Sequence, residues 1–239
     1  MTDLPLFLLL ETATNICSVA LSQGENILSL RESDEDRSHS SLLTPFMREV
    51  LEEAGKKPAD VNAIAVSKGP GSYTGLRIGV SATKGFAYSL NIPVIGISTL
   101  QALALSAISH EKFNTIHKKN PSLILCPMID ARRMEVYTAM YDPTGIAISS
   151  VSASIIAASS FDKELSKSSV LFFGNGSDKV KELIAHPNAY YLEGVQPSAQ
   201  YLASLAQEAF MNKRFEDTAY FEPYYLKDFV ASLPRKKMF

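Results

Sequence analysis

Residues 63–90 read AIAVSKGPGSYTGLRIGVSATKGFAYSL, and they decide the fold of the first half of the chain. The apolar residues at the start predict a strand, and residues 74–90 predict a helix that follows a loop rich in glycine and proline. Gly75, Gly79 and Thr83 lie on one face of that helix. Each glycine costs the helix about 1 kcal/mol relative to alanine, so a close contact must compensate. The small-residue stripe therefore predicts close packing of another helix, from this chain or from a partner.

The loop before this helix has three alternative interpretations in which it binds a ligand. A P-loop is excluded, because Gly69 and Gly75 are too far apart for that motif and Leu76 follows where it has lysine. A dinucleotide-binding loop is disfavoured, because Thr74 stands at the third glycine position and no acidic residue follows at the expected distance. An anion site at the helix start, with Arg77 in its first turn, stays open, although the spacing favours close packing.

The order of predicted elements repeats along the chain. Residues 1–109 predict three strands followed by helix, strand, helix, strand and helix, and a new apolar run at 123–130 restarts the pattern. Glu11 and Asp130 end the first strand of each half. This duplication predicts an α/β fold with two βββαβα-type lobes, the actin-like (ASKHA) organisation shared by actin, Hsp70 and sugar kinases.

The second lobe is expected over residues 110–239, with a polar, basic linker at about 110–120. After the first strand, its pattern is less regular. The remaining predicted elements are strands at 135–141, 146–151, 170–173 and near Tyr190, and helices at 161–165, 177–184 and, as the closing helix, 200–212.

The composition is that of an ordinary globular protein, with 239 residues, 46% hydrophobic residues and a formal net charge of −2. The near-neutral charge gives no overall basic field for nucleic acid. Cys17 and Cys126 lie in apolar runs and predict buried thiols in a reducing compartment. No apolar run reaches the length of a membrane span, and we expect a cytoplasmic protein. A local basic patch that contacts tRNA stays open, formed by Lys112, Lys118, Lys119, Arg235, Lys236 and Lys237.

Several motifs, in the same order along the chain, resemble those of the TsaB (YeaZ) family. The most specific is GPGSYTGLRIG at 69–79, whose signature loop is formed by Gly69, Pro70, Gly71, Ser72, Tyr73 and Thr74. The others are LLLETAT at 8–14, CSVAL at 17–21, RSHSSLL at 37–43, PVIGISTL at 93–100, DAR at 130–132 and PYYLK at 223–227. The resemblance covers residues 8–227, and it is weakest between 152 and 222.

The resemblance implies a non-catalytic accessory subunit for the synthesis of threonylcarbamoyladenosine (t6A) on tRNA. Its expected partner is the catalytic subunit, TsaD, which transfers a threonylcarbamoyl group to N6 of adenosine 37 in ANN-decoding tRNAs. An ATPase, TsaE, joins this assembly, and tRNA is reached through the complex. The resemblance implies no cofactor in this chain, with a nucleotide expected only at the interface with the partner.

Docking in this family uses the first two helices of the N-terminal lobe, which are 39–53 and 74–90 here. The first carries a broad apolar stripe and the second the small-residue stripe. The partner interface is therefore predicted to include Leu42, Leu43, Phe46, Met47, Val50, Gly75, Arg77, Gly79 and Thr83.

The chain lacks the metal ligands of its catalytic relative. That relative has His-x-x-x-His after the strand corresponding to 93–97, and this chain has Thr99 and Leu103 at those places. Leucine cannot ligate a metal. Peptidase activity is not expected either, because no motif pairs a nucleophile with histidine or forms a zinc-binding helix.

Two alternatives to the accessory subunit remain. The first is an ATP-dependent small-substrate kinase, in which Glu11, Asp130 and Gly174 contribute to a magnesium–nucleotide site. Against it, Asp130-Ala131-Arg132 is also explained by a turn held by an ion pair, and Gly174 by an ordinary Asn-Gly turn. The second alternative is a homodimeric binding module that uses the same two helices, and we expect the isolated chain to self-associate.

Overall fold

The computed structural model describes residues 4–35 and 39–227. Arg37 and Ser38 of the RSHSSLL motif, and the cationic residues Arg235, Lys236 and Lys237, lie outside the described residues.

The first lobe contains a five-stranded sheet. Its strands are β1 (Leu6–Glu11), β2 (Cys17–Gln23), β3 (Asn26–Ser33), β4 (Ala63–Gly69) and β5 (Val94–Ser98). The spatial order is β3-β2-β1-β4-β5, in which β1, β2 and β3 are antiparallel neighbours and β1, β4 and β5 are parallel. The central strand β1 is therefore hydrogen-bonded to a neighbouring strand on each side, β2 and β4.

Both faces of this sheet are covered by helices, which explains why β1 is a continuous apolar run. Alternate residues point to opposite faces. Leu8 and Leu10 belong to the core under two helices of the first half, whereas Phe7 and Leu9 belong to the core under the closing helix. The helices of the first half are α1 (His39–Glu53), α2 (Tyr73–Leu90) and α3 (Thr99–Ile108).

The second lobe repeats the same sheet. Its strands are β6 (Ile124–Asp130), β7 (Glu135–Thr138), β8 (Ser152–Ile155), β9 (Val170–Phe173) and β10 (Ala189–Leu192). Their spatial order, β10-β9-β6-β7-β8, matches the first sheet strand for strand, with β6 in the place of β1. The predicted duplicated α/β fold of the actin-like class is confirmed.

The helices of the second half are shorter. Three of them are α4 (Phe113–Lys119), α5 (Asp162–Leu165) and α6 (Asp178–Lys181). The helix α4 lies inside the segment predicted as a linker, and the Phe113 side chain is buried in the second lobe. This apolar anchor makes the segment part of the packed structure.

Three predicted elements of the second lobe are wrong in position or length. The strand predicted at 135–141 ends at Thr138. The strand expected at 146–151 is absent, and β8 pairs with β7 only from Ser152 onward. The cause is local, because the Asp142 carboxylate accepts the backbone amides of Thr144 and Ile146 and closes a tight loop. The predicted helix at 177–184 is shorter because the amides of Leu183 and Ile184 share the Val180 carbonyl in an irregular turn.

The closing segment returns to the first lobe. A 3-10 turn (Ala199–Leu202) leads into α7 (Ala203–Met211), and both pack on the first sheet. Phe210 of α7 contacts Phe7 of β1 with ring centroids 5.4 Å apart. All of 110–239 was predicted to belong to the second lobe, whereas residues 199–211 pack on the first lobe. No helix among the described residues is long and apolar enough to cross a membrane.

Candidate functional site: the α1–α2 face and the lobe junction

The glycine stripe of α2 packs against its own chain. A β-carbon added to Gly75 would overlap the Thr12 carbonyl oxygen, and one added to Gly79 would overlap the Thr12 hydroxyl. Thr83, one turn later, is fully buried. The close neighbour predicted for this stripe is therefore the turn between β1 and β2, and it is not another helix. These three residues were predicted in the partner interface, but their buried positions keep them from a partner in this structure.

The signature loop is fixed by the same turn. The Ser72 amide donates to the Ala13 carbonyl at 2.7 Å, and the Ser72 hydroxyl caps α2 by accepting the Gly75 amide at 3.3 Å. The Leu76 amide donates to the Ser72 carbonyl at 2.9 Å. These contacts already use amides that an anion at the start of α2 would need. The alternative of an anion site gains no support from the loop geometry.

Arg77 braces the loop internally. Its guanidinium donates to the Tyr73 hydroxyl at 3.2 Å and lies over the same ring, 5.3 Å from the centroid. Since Arg77 is exposed, it also remains accessible at the edge of α2.

Glu11 lies at the carboxyl end of β1, and the kinase alternative assigns it to a magnesium–nucleotide site. Its side chain is fully buried, and one carboxylate oxygen accepts the Ala13 amide at 2.6 Å and the Ser67 hydroxyl at 2.8 Å. The other oxygen, Oε2, has no hydrogen-bond partner among the described residues. Burial raises the pKa of Glu11 to about 7, and the hydrogen bonds from Ala13 and Ser67 limit the rise. Glu11 thus holds the turn that supports α2.

Asp130, the corresponding acid of the second lobe, forms an ion pair, whereas Glu11 accepts only hydrogen bonds. Its carboxylate pairs with Lys179 at 2.7 Å and accepts the Arg132 amide at 2.7 Å. The Lys179 ammonium also donates to the carbonyls of Arg133 and Glu135. The geometry is that of the turn held by an ion pair, as the sequence allowed.

Gly174 sits against β6 with a positive φ of 92°. A β-carbon there would overlap the Met128 carbonyl oxygen, so the chain itself fills the space beside the glycine. Within residues 4–35 and 39–227, no group of three or more His, Cys, Asp or Glu side chains could hold a metal ion. Thr99 and Leu103, at the metal-ligand positions of the catalytic relative, are fully buried.

The apolar stripe of α1 divides into two parts. Leu43, Met47 and Val50 are buried in the core of the first lobe, whereas Leu42 and Phe46 pack against that core and stay half-buried. Of the residues predicted in the interface on α1, only the last two present apolar surface to a partner in this structure.

On α2, three half-buried apolar residues are available to a partner, and none of them is in the predicted interface. Ile78, Ala82 and Phe86 are half-buried, and they recur every four residues along the helix. That spacing was the signal that could have found them. Gly85 is exposed beside them, with no atom within 4 Å of an added β-carbon. We call the half-buried residues of both helices the docking face: Leu42, Phe46, Ile78, Ala82 and Phe86.

The fold and these contacts define an actin-like two-lobed protein whose expected nucleotide-binding acids are engaged in internal contacts. The chain matches the family model described as TsaD, tRNA N6-adenosine threonylcarbamoyltransferase, over residues 32–234. It belongs to this family, and its relatives place it in the TsaB (YeaZ) group.

Two curated relatives span nearly the whole chain. The tRNA threonylcarbamoyladenosine biosynthesis protein TsaB of Escherichia coli K12 is 29% identical, over 96% of this chain and 99% of the relative. The protein of the same name from Haemophilus influenzae is 28% identical, over 94% of each chain.

Solved structures agree with this membership. A Pseudomonas aeruginosa protein, described as uncharacterised with similarity to peptidase YEAZ, superposes with a TM-score of 0.79 at 29% identity and covers 94% of this chain and 100% of its own. YeaZ from the same organism superposes with a TM-score of 0.75 at 29% identity, covering 93% of this chain and 100% of its own.

Proposed function

We propose that this chain acts in t6A biosynthesis on tRNA as a non-catalytic subunit, and that its docking face binds the catalytic threonylcarbamoyltransferase subunit. The observation that carries the proposal is the docking face itself. Leu42 and Phe46 on α1, and Ile78, Ala82 and Phe86 on α2, leave apolar surface half-buried on two adjacent helices. Apolar surface that remains accessible on adjacent helices is typical of protein–protein contact sites.

The state of the acids supports a non-catalytic role. Glu11 is buried and bonded to the β1–β2 turn, and Asp130 is paired with Lys179. At each acid one carboxylate oxygen is already held by internal contacts, which a magnesium–nucleotide complex would have to accommodate. The kinase alternative therefore gains no support from these residues, and we propose that any nucleotide of the assembly lies at the interface with the catalytic subunit.

The remaining partners follow from the same proposal. The TsaE-type ATPase joins the assembly in the cytoplasm, and tRNA is bound through the complex. Lys112, Lys118 and Lys119 are exposed around α4 and stay a candidate for a direct contact with tRNA. In the absence of the catalytic subunit, the docking face associates with a second copy of the chain, which light scattering across a concentration series tests.

The decisive experiment is reconstitution from purified subunits. The catalytic subunit and the ATPase are combined with ATP, preformed threonylcarbamoyl adenylate as the group donor and unmodified tRNA, with and without this chain. We expect t6A only when this chain is present. Equal t6A yield in its absence would contradict the proposal, and magnesium- and ATP-dependent phosphorylation of a small substrate by the chain alone would support the kinase instead.

A further inference from the structure

Residues 216–227, which we call the strap, cross back over the first lobe after α7. The strap begins at the edge of the first sheet, where the Glu216 amide donates to the Val94 carbonyl of β5 at 2.9 Å. The Glu216 carboxylate also pairs with Lys68, at the end of β4, at 2.9 Å. The first end of the strap is thus fixed to the two parallel strands that flank α2 in sequence.

The middle of the strap is tied to α2 itself. The Lys84 ammonium donates to the carbonyls of Ala219 and Phe221 at 3.0 and 3.2 Å. The Phe221 side chain is buried in the core that β1, β4, α1 and α2 share. One helix side chain therefore holds two strap carbonyls beside a buried aromatic anchor.

The next residues hold the signature loop. The Tyr224 amide donates to the Lys68 carbonyl at 2.6 Å. Gly69 has a φ of 114°, and a β-carbon there would lie 2.8 Å from the Tyr224 carbonyl oxygen, so this approach requires glycine. The Tyr225 ring contacts the ring of Tyr73, the first residue of α2, with centroids 4.9 Å apart.

The end of the strap reaches the second lobe. Lys227 pairs with Glu135, the first residue of β7. Tyr137 of β7 lines one small cavity together with Tyr225 and with Pro70 and Gly71 of the signature loop. A continuous series of contacts thus runs from α2 through the strap to the second lobe.

We propose that the strap positions α2 and the signature loop so that the docking face is correctly presented, and that it makes this position dependent on the second lobe. The claim that the strap affects docking rests on the function proposed above. The claim that the strap positions α2 concerns the isolated chain and does not depend on that function. Segments held by few contacts open locally at low free-energy cost, so loss of the strap contacts is expected to loosen the amino end of α2 while the sheet stays folded.

The first test is amide hydrogen exchange of the full chain with a double substitution, Lys84→Ala with Tyr225→Ala. We expect exchange at 69–77 and 216–227 to become at least about tenfold faster, with exchange in β1 and β6 unchanged. The matched control is Lys181→Ala, which removes an exposed lysine ion pair, with Glu193, in the second lobe. Tyr225→Phe in place of Tyr225→Ala keeps the ring and is expected to restore slower exchange. Unchanged exchange in the double variant would overturn the proposal.

The second test measures the affinity of the same variants for the catalytic subunit. We expect the double variant to bind about tenfold more weakly and Lys181→Ala to bind normally. Fast exchange with full affinity would overturn the link between the strap and docking. A variant at the border of the docking face, Gly85→Arg, separates the two proposals, because it is expected to weaken binding without faster exchange. Full affinity of Gly85→Arg would contradict the docking face, while the exchange result still decides whether the strap holds α2.

Discussion

Gly79 of α2 packs directly against Thr12 in the turn after β1, with no space between them for a β-carbon. Gly71 and Gly75 meet the same turn at Ala13 and Thr12. The glycines of the signature segment therefore let a helix lie on a strand end, and the cost of glycine in the helix is offset within this chain.

Gly79→Ala is expected to destabilise the protein by roughly 1–3 kcal/mol, because the added methyl must displace Thr12 or α2. Urea unfolding followed by circular dichroism measures the change. If Gly79→Ala has the same unfolding free energy as the native sequence, Thr12 can move away from the added methyl group without destabilising the protein.

Gly85→Ala, in the same helix, is expected to stabilise the protein by about 0.5–1 kcal/mol. No atom lies within 4 Å of the added β-carbon, so only the helix propensity changes. The same urea titration provides the matched comparison with Gly79→Ala. If Gly85→Ala destabilises the protein as Gly79→Ala does, then there is no free space for a β-carbon at position 85.

Glu11→Gln should change the pH dependence of stability. The pKa of Glu11 is about 7 in the fold against 4.5 for the unconstrained group, because burial disfavours the charge. The folded state binds the proton more tightly, so the native sequence loses up to about 3 kcal/mol from this group as pH rises from 4.5 to about 7. Glutamine removes that loss.

The unfolding free energy of Glu11→Gln, relative to the native sequence, should therefore increase between about pH 5 and about pH 8. Urea titrations at both pH values, with the exposed Glu25→Gln as control, measure it. A difference between Glu11→Gln and the native sequence that is independent of pH would show that Glu11 titrates normally.

Lys179→Met is expected to destabilise the second lobe by roughly 1–3 kcal/mol. The Lys179 side chain is 18% exposed, and its ammonium donates to Asp130 and to two backbone carbonyls, which would lose their donor. Lys181→Met, which removes only a solvent-exposed pair with Glu193, should change stability much less, because solvent screens that pair. Thermal unfolding compares them, and equal effects would contradict the role given to Lys179.

The sequence predicted the parts of the fold that local pattern controls. The 15 residues of α1 match the predicted bounds, because its apolar spacing is regular. The strand ends at Glu11 and Asp130 were also predicted, since each acid follows a continuous apolar run. The strand expected at 146–151 failed because one side chain, Asp142, closes a loop that hydrophobic pattern does not report.

The candidate site was harder to predict because it depends on contacts between distant segments. The glycine stripe correctly indicated close packing, but periodicity could not say that Thr12 is the neighbour. The motif at 223–227 was noticed only through resemblance, and its contact with Tyr73 joins residues about 150 positions apart. Leu43 was predicted in the interface but is buried, and Ile78 was not predicted but is half-buried. Apolar spacing identifies the apolar face of a helix, but it does not show which residues of that face remain accessible.

The most direct test of the docking face is the dissociation constant between this chain and the catalytic subunit, measured by isothermal titration for native, Gly85→Arg and Ala158→Arg proteins. Gly85 borders the docking face, and Ala158 is an exposed residue of the second lobe. We predict at least about a tenfold loss of affinity for Gly85→Arg and native affinity for Ala158→Arg. Native affinity for both variants, or no binding by the native chain, would contradict the account.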